Sequence, residues 1–199
     1  MEQDAKPRGG RPWSFDRDKA IETAMRLFWR HGYEGVSVAD LTKAIGIAPP
    51  SLYAAFGSKA GLYREALSRY EETLGLLNVP AIATAKTLGE AVWLLLEAAV
   101  RAVTDPAREP GCMISSGMVE CQPDNAALAR EAAERRAAMR ERIARTLEPF
   151  AGREELPRLA RHLAAVMQGI SIQARDGATR EELQEIVEEV VAGLRARQL

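Results

Sequence analysis

Two residues of this chain have types and positions that suit the binding of a phosphate polyanion, Ser37 and Lys59, with the Ser51 and Tyr53 hydroxyls as further donors between them. Lys59 follows Ser58, a good helix N-cap, and a cation at that point opposes the positive end of the helix dipole. A phosphate there reverses the argument, because the exposed N–H groups and the ammonium then hold one anion together. Tyr53 adds a phenolic donor, against the plainer reading of a half-buried aromatic with its hydroxyl in water. Ser37 suits both a helix cap and a phosphate donor. Catalytic chemistry has no comparable support. The chain lacks Gly-x-Ser-x-Gly, a phosphate loop, a dinucleotide glycine pattern and His-Glu-x-x-His, and His31 and His162 stand without metal-ligand spacing. No enzyme activity, catalytic residue, metal or cofactor is therefore expected.

The elements that must position these residues are legible between Ser37 and Lys59. Ser37 and Asp40 form the pattern of a capping box, and Val38, Leu41, Ala44 and Ile45 follow on one face until Gly46. A second helix restarts after Ala48 with Pro49 and Pro50, tolerated in a first turn, and carries Leu52 and Phe56 as its inward pair. Two short helices joined by a glycine-containing turn match the helix-turn-helix, whose second helix enters the DNA major groove.

A further helix from about Asp16 to His31 precedes this unit, with Ala20, Ile21, Ala24, Leu27 and Phe28 on one side. The succession Ala24 to Phe28, Gly32-Tyr33, Ser37-Val38, Ile45-Gly46-Ile47, Ser51-Leu52-Tyr53, Phe56 and Ser58-Lys59 closely resembles the DNA-binding domain of the TetR family of bacterial transcriptional regulators. The resemblance spans about residues 14–74. It implies a homodimer that places one recognition helix in each half of a near-palindromic double-stranded operator, with Tyr53 and Lys59 at the family's phosphate-contacting positions. An all-α chain is expected: a flexible basic arm at 1–13, a three-helix DNA-binding domain at 14–74 and a helical effector-binding and dimerisation domain at 75–199.

The recognition helix departs from the commoner family pattern. Its outward face holds Pro49, Pro50, Ser51, Tyr53, Ala54 and Ala55, with no Arg, Lys, Asn or Gln for a bidentate base contact. Direct readout then rests on apolar contact with thymine methyl groups, helped by DNA shape and by Lys6, Arg8 and Arg11 of the arm, which suit a minor groove; a disordered tail with chance charge is the competing reading. The net charge of −1 hides an asymmetry. Ten basic residues face seven acidic ones up to Arg64, and 17 face 21 in the remainder, so the phosphate-binding potential lies in the N-terminal part.

The rest of the 199 residues, 47% hydrophobic and 28% charged overall, reads as an ordinary globular chain with no apolar run long enough to span a bilayer. With two cysteines and no secretory signal it points to a reducing, cytoplasmic setting and to no membrane partner. A fourth helix from Lys59 to about Leu77 is followed by helical patterns near Leu88–Val103, Cys112–Cys121, Asn125–Phe150, Glu154–Arg175 and Arg180–Arg197. In the last, Leu183, Ile186, Val187, Val190, Val191 and Leu194 form a stripe; Leu156, Leu159, Leu163, Val166, Met167 and Ile170 do so in the one before. Such stripes suit an intrachain core. The resemblance implies that these two helices, within 154–197, also pair with those of a second subunit. The mixed charges around Arg130 to Glu148 suit a solvated helix face.

A small-molecule effector of unknown identity follows from the resemblance. Trp93, Leu96, Met113, Met118, Met139, Met167 and Ile170 are candidates for an apolar cavity, with Ser116 and Gln168 as polar contacts; ordinary core is the competing reading. The Gly111-Cys112 segment resembles that of a TetR subgroup which includes regulators of electrophile and oxidant defence. Cys112, at an expected helix start, is the candidate for a reactive thiol, against the reading of a small buried hydrophobe. A thiol-sensing regulator and an effector-free DNA-binding protein are the alternatives to a ligand-released repressor.

Overall fold

The computed structural model describes residues 15–73, 79–119 and 121–196, and every regular element among them is helical. The Asp16 carboxylate accepts the Lys19 N–H at 3.1 Å and so starts α1 (Arg17–His31). Ala20, Ile21, Ala24, Met25, Phe28 and Trp29 recur at helical spacing along it and are all buried. α2 (Val38–Ile45) opens on the expected reciprocal capping box and ends at Gly46, whose left-handed conformation (φ 79°) costs a glycine little. α3 (Pro49–Phe56) and α4 (Lys59–Thr73) follow, with the Ser58 hydroxyl accepting the Gly61 N–H at 3.0 Å. Next come α5 (Val79–Ile82), α6 (Leu88–Val103), a 3-10 turn (Pro123–Asn125), α7 (Ala126–Leu147), α8 (Leu156–Arg175) and α9 (Arg180–Ala196).

The helix expected at Cys112–Cys121 does not form. The described part of that segment is a chain of turns, with Gly111 and Met118 at positive φ. Its backbone groups bond to other elements instead: the Cys112 N–H donates to Ser171 Oγ at 2.8 Å, and the Gly117 carbonyl accepts from Arg136 at 2.7 Å. Of the expected helix to Leu77, the described part ends at Thr73; residues 74–78 lie outside the described residues.

Two hydrophobic cores result, and a boundary at residue 74 does not separate them. The first joins α1–α4 to Met113, Ile114, Met118, Leu128 and Ala132. The reason is aromatic: Trp29 and Tyr70 meet edge-to-face at 4.9 Å, Phe28 and Tyr63 at 5.0 Å, and these rings of α1 and α4 share their core with Met113, Ile114 and Met118. Burying Met113, Ile114 and Met118 against them stabilises the arrangement by roughly 1.5–3 kcal/mol each. The second core joins α6, α8 and α9, with Ile82 and with Ile143 and Leu147 of α7. α7 thus runs from one core to the other.

The stripes of α8 and α9 divide in the same way. Leu183, Val187 and Val191 are buried inside the chain, as are Leu156, Leu159, Leu163 and Ile170, whereas Ile186, Val190, Leu194, Val166 and Met167 are only half-buried. Beneath the α6–α9 contact the buried Glu97 pairs with Arg180 at 2.9 Å and Arg101 at 2.8 Å. Losing one partner of such a pair is costly, because the other charge stays buried.

Candidate nucleic-acid interface

The surface formed by α2, α3 and the start of α4 gathers the expected contact residues. Leu52 and Phe56 anchor α3 inward, so that Pro49, Pro50, Tyr53 and Ala54 are exposed and Ser51 and Ala55 half-buried. Tyr53 is 49% exposed, which suits a phenol free to meet a phosphate. Lys6, Arg8 and Arg11 lie outside the described residues.

Lys59 is held in place. Its ammonium sits 4.1 Å from the ring centroid of Tyr33, a cation–π contact, and partial burial there lowers its pKa while the nearby Glu34 carboxylate opposes the shift. Glu34 in turn accepts from the Asn125 side chain at 2.7 Å and the Gln122 N–H at 3.1 Å, and these bonds lower its pKa. The helix-start lysine is therefore positioned by the α1–α2 turn, and that turn is tied to the start of α7.

Ser37 is more constrained than a free donor. Its hydroxyl lies 2.6 Å from the Asp40 carboxylate, which also accepts the Ser37 N–H at 2.9 Å; these bonds hold the Asp40 carboxyl below its usual pKa. A phosphate competing for the Ser37 hydroxyl must displace a carboxylate.

Two cations of this surface escaped the sequence reading. Lys43 is exposed in the last turn of α2. Arg17 lies 5.0 Å over the Phe56 ring and pairs with Glu65 at 2.6 Å, so the start of α1 braces the end of α3. The argument applied to Lys59, a cation in a helix's first turn, flags Arg17 as well. Other N-terminal arginines serve structure: Arg30 forks onto Glu109 at 2.7 and 2.9 Å, and Arg64 onto Glu131 at 2.7 Å for both bonds.

Among the described residues, most of those expected to line an effector cavity divide between the two cores. Trp93 is 39% exposed on the outer side of α6. Leu96 and Ile170 are fully packed in the second core, Met139 and Met167 lie at its edge, and Gln168 is half-buried. Met113 and Met118 belong to the first core, because methionine's flexible thioether fills gaps around its aromatic rings. Ser116 and Met118 share a crevice of about 420 Å³ between the α1–α2 turn and Ile172. No helix begins at Cys112, so the helix N-terminus expected to favour a thiolate is missing. Cys112 instead packs against both cores, beside the Tyr70 hydroxyl, whose pKa burial raises. No group of His, Cys, Asp and Glu among the described residues could hold a metal ion.

An exposed second helix in a capped helix-turn-helix, with a lysine poised at the next helix start, defines a helix-turn-helix DNA-binding regulator. The comparisons narrow the class. The family described as bacterial regulatory proteins, tetR family, matches residues 20–66. The chain is 35% identical over 191 residues to the transcriptional repressor ComR of Escherichia coli, covering 92% of this chain and 91% of that one, and 34% identical over 180 residues to the repressor BdcR of the same organism, covering 87% and 86%. It is also similar to a cysteine mutant of the TetR family regulator CifR solved in complex with 26bp double-strand operator DNA, at 38% identity and a TM-score of 0.83, covering 92% of this chain and 98% of that one. The chain belongs to the TetR family of bacterial transcriptional regulators. No described helix is long and apolar enough to cross a membrane.

Proposed function

We propose that this protein is a transcriptional repressor that binds near-palindromic operator DNA as a homodimer through α3 and leaves it when an effector acts on the C-terminal half. The observation that carries the proposal is the exposed, anchored α3 beside the positioned Lys59. ComR and BdcR, named as repressors, support the direction of regulation, and the operator complex of CifR supports the target. The dimer rests on the outer faces of α8 and α9, where the small Ala165, Gly169 and Gly193 alternate with Ile172, Ile186 and Val190 in an apolar strip suited to helix packing. Selection of bound fragments from genomic DNA, followed by transcription from the selected promoter with and without the protein, tests this. Enrichment of paired half-sites and lower transcription are expected; unpaired sites or raised transcription would overturn the homodimer or the repression.

For release, the turn segment 111–119 is the favoured target, because it belongs to the core of the DNA-binding half while bonding to α8. A reversible apolar ligand is one trigger. Oxidation or alkylation of Cys112 is the second, supported by the position of that residue against both cores. Peroxide, quinones and a panel of apolar compounds, applied to operator complexes of the wild type and of Cys112→Ser, separate them. Release that the substitution abolishes identifies the thiol; equal release identifies a reversible ligand; insensitivity to all of them identifies an effector-free repressor.

A further inference from the structure

We infer that Arg175, acting through Trp29 and Gly111, sets the angle between the DNA-binding half and α8 and so fixes which separation of half-sites the dimer accepts; this rests on the homodimer reading above. Arg175 ends α8, the helix whose outward face carries Ala165, Gly169 and Ile172. Its guanidinium donates to the main-chain carbonyl of Trp29. That carbonyl lies in the last turn of α1, where carbonyls have no partner within the helix and a cation is favoured.

The same tryptophan donates its buried indole N–H to the Gly111 carbonyl at 3.2 Å. Gly111 has φ +79°, and a Cβ there would stand 2.8 Å from both the Ser171 carbonyl and Arg175 Cγ. The fully buried Ser171 hydroxyl, one turn before Arg175, accepts the Cys112 N–H at 2.8 Å. The end of α1, the Gly111-Cys112 backbone and the end of α8 thus meet at a close-packed point with directional bonds among all three.

α1 is the lever that leaves this joint. Trp29 near one end is held by Arg175, and Arg17 at the other lies over Phe56 of α3. The twelve steps from Trp29 to Arg17 at about 1.5 Å each make the lever roughly 18 Å long, so a rotation of about 10° at the joint moves its far end by about 3 Å. A base-pair step is about 3.4 Å. In a two-fold dimer the separation of the recognition helices is a geometric property, and a change of this size at each root moves the preferred half-site spacing by whole base pairs. Of the ion pairs that tie α4 to α7, Arg64 with Glu131 is largely solvent-exposed and contributes little alone, whereas Arg135 with Glu71 is part-buried and braces the two helices away from this joint.

The test is selection of bound sequences from a random double-stranded DNA pool by the wild type, Arg175→Ala and Trp29→Phe, with dimer mass from light scattering and helicity from circular dichroism. The wild-type pool should narrow to one spacing. The Arg175→Ala pool should keep the half-site sequence and spread over at least two further spacings, and its preference for the selected site over one lengthened by a base pair should fall at least about five-fold. One spacing in both pools from two folded dimers overturns the proposal alone, as does loss of the half-site sequence itself by a folded Arg175→Ala dimer. If Arg175→Ala loses helicity, Trp29→Phe, which removes the indole donor and keeps a ring against Tyr70, decides by the same criteria. A monomeric wild type overturns the homodimer reading and this proposal with it.

Discussion

Lys59 and Ser37, the two proposed phosphate contacts, are held in opposite ways. The Lys59 ammonium is parked on an aromatic face, a contact that orients it without consuming its charge. The Ser37 hydroxyl is already committed to Asp40. Lys59→Ala is therefore expected to weaken binding to all DNA sequences alike and to lower the magnitude of the slope of log K against log salt by about 0.9. Tyr53→Phe should weaken binding with the slope unchanged, since it removes a donor and no charge. Titrations of one operator and one unrelated duplex at several salt concentrations check both; an unchanged Lys59→Ala slope would remove that residue from the interface. Asp40 and Glu34 carry a pH signature. Both carboxyls have lowered pKa values in the fold, so their contribution is complete above the ordinary carboxylate range, near 4, and is lost as pH falls through their lowered values. The melting temperature should fall over that acid window, and the double variant Asp40→Asn, Glu34→Gln should melt with a shallower pH dependence; an identical profile would deny the two carboxylates this role.

Between elements, α9 offers a contrast within a single turn. Val187 is fully buried inside the chain, so Val187→Glu buries an unpaired carboxylate and should cost several kcal/mol, seen as loss of helicity or a much lower melting temperature. Val190 lies on the outward face, so Val190→Glu should leave helicity near wild type and convert the dimer to monomer in light scattering. A dimeric Val190→Glu would move the interface off this face. The N-cap of α2 has a smaller effect: Ser37→Ala should lower stability by about 1 kcal/mol in denaturant unfolding, as loss of a cap commonly does.

On the scale of the whole molecule, the release proposed above acts where the two cores join. An effector that favours the conformation unable to bind DNA must lower operator affinity by the same factor by which operator lowers its own. The arm is expected to add an independent contribution. Deleting residues 1–12 removes Lys6, Arg8 and Arg11, and the loss of affinity should be greatest on operators flanked by A·T pairs, where the minor groove is narrow and most negative. Equal losses on A·T- and G·C-flanked duplexes in gel-shift titrations would leave only general charge attraction.

What the sequence determined by itself is what local rules control. The capping box at Ser37 and Asp40, the glycine stop at Gly46, the proline start at Pro49 and the inward pair Leu52 and Phe56 depend on neighbours a few residues away, and each formed as read. Tertiary structure decided whatever depends on distant partners. Ile114 and Met118 stand at helical spacing, yet Ser171 and Arg136 claim backbone groups of segment 111–119 and hold it in turns. Val187 and Val190 look alike in a hydrophobic stripe, and only the position of α6 against α9 makes one of them core. Met113 and Met118 share a composition with a ligand cavity, but the rings of Trp29, Tyr63 and Tyr70, more than forty residues earlier, draw them into the core of the DNA-binding half. The physical reason is the same throughout: caps and turns are settled by bonds within one helical turn, whereas packing partners are chosen by shape across the whole chain.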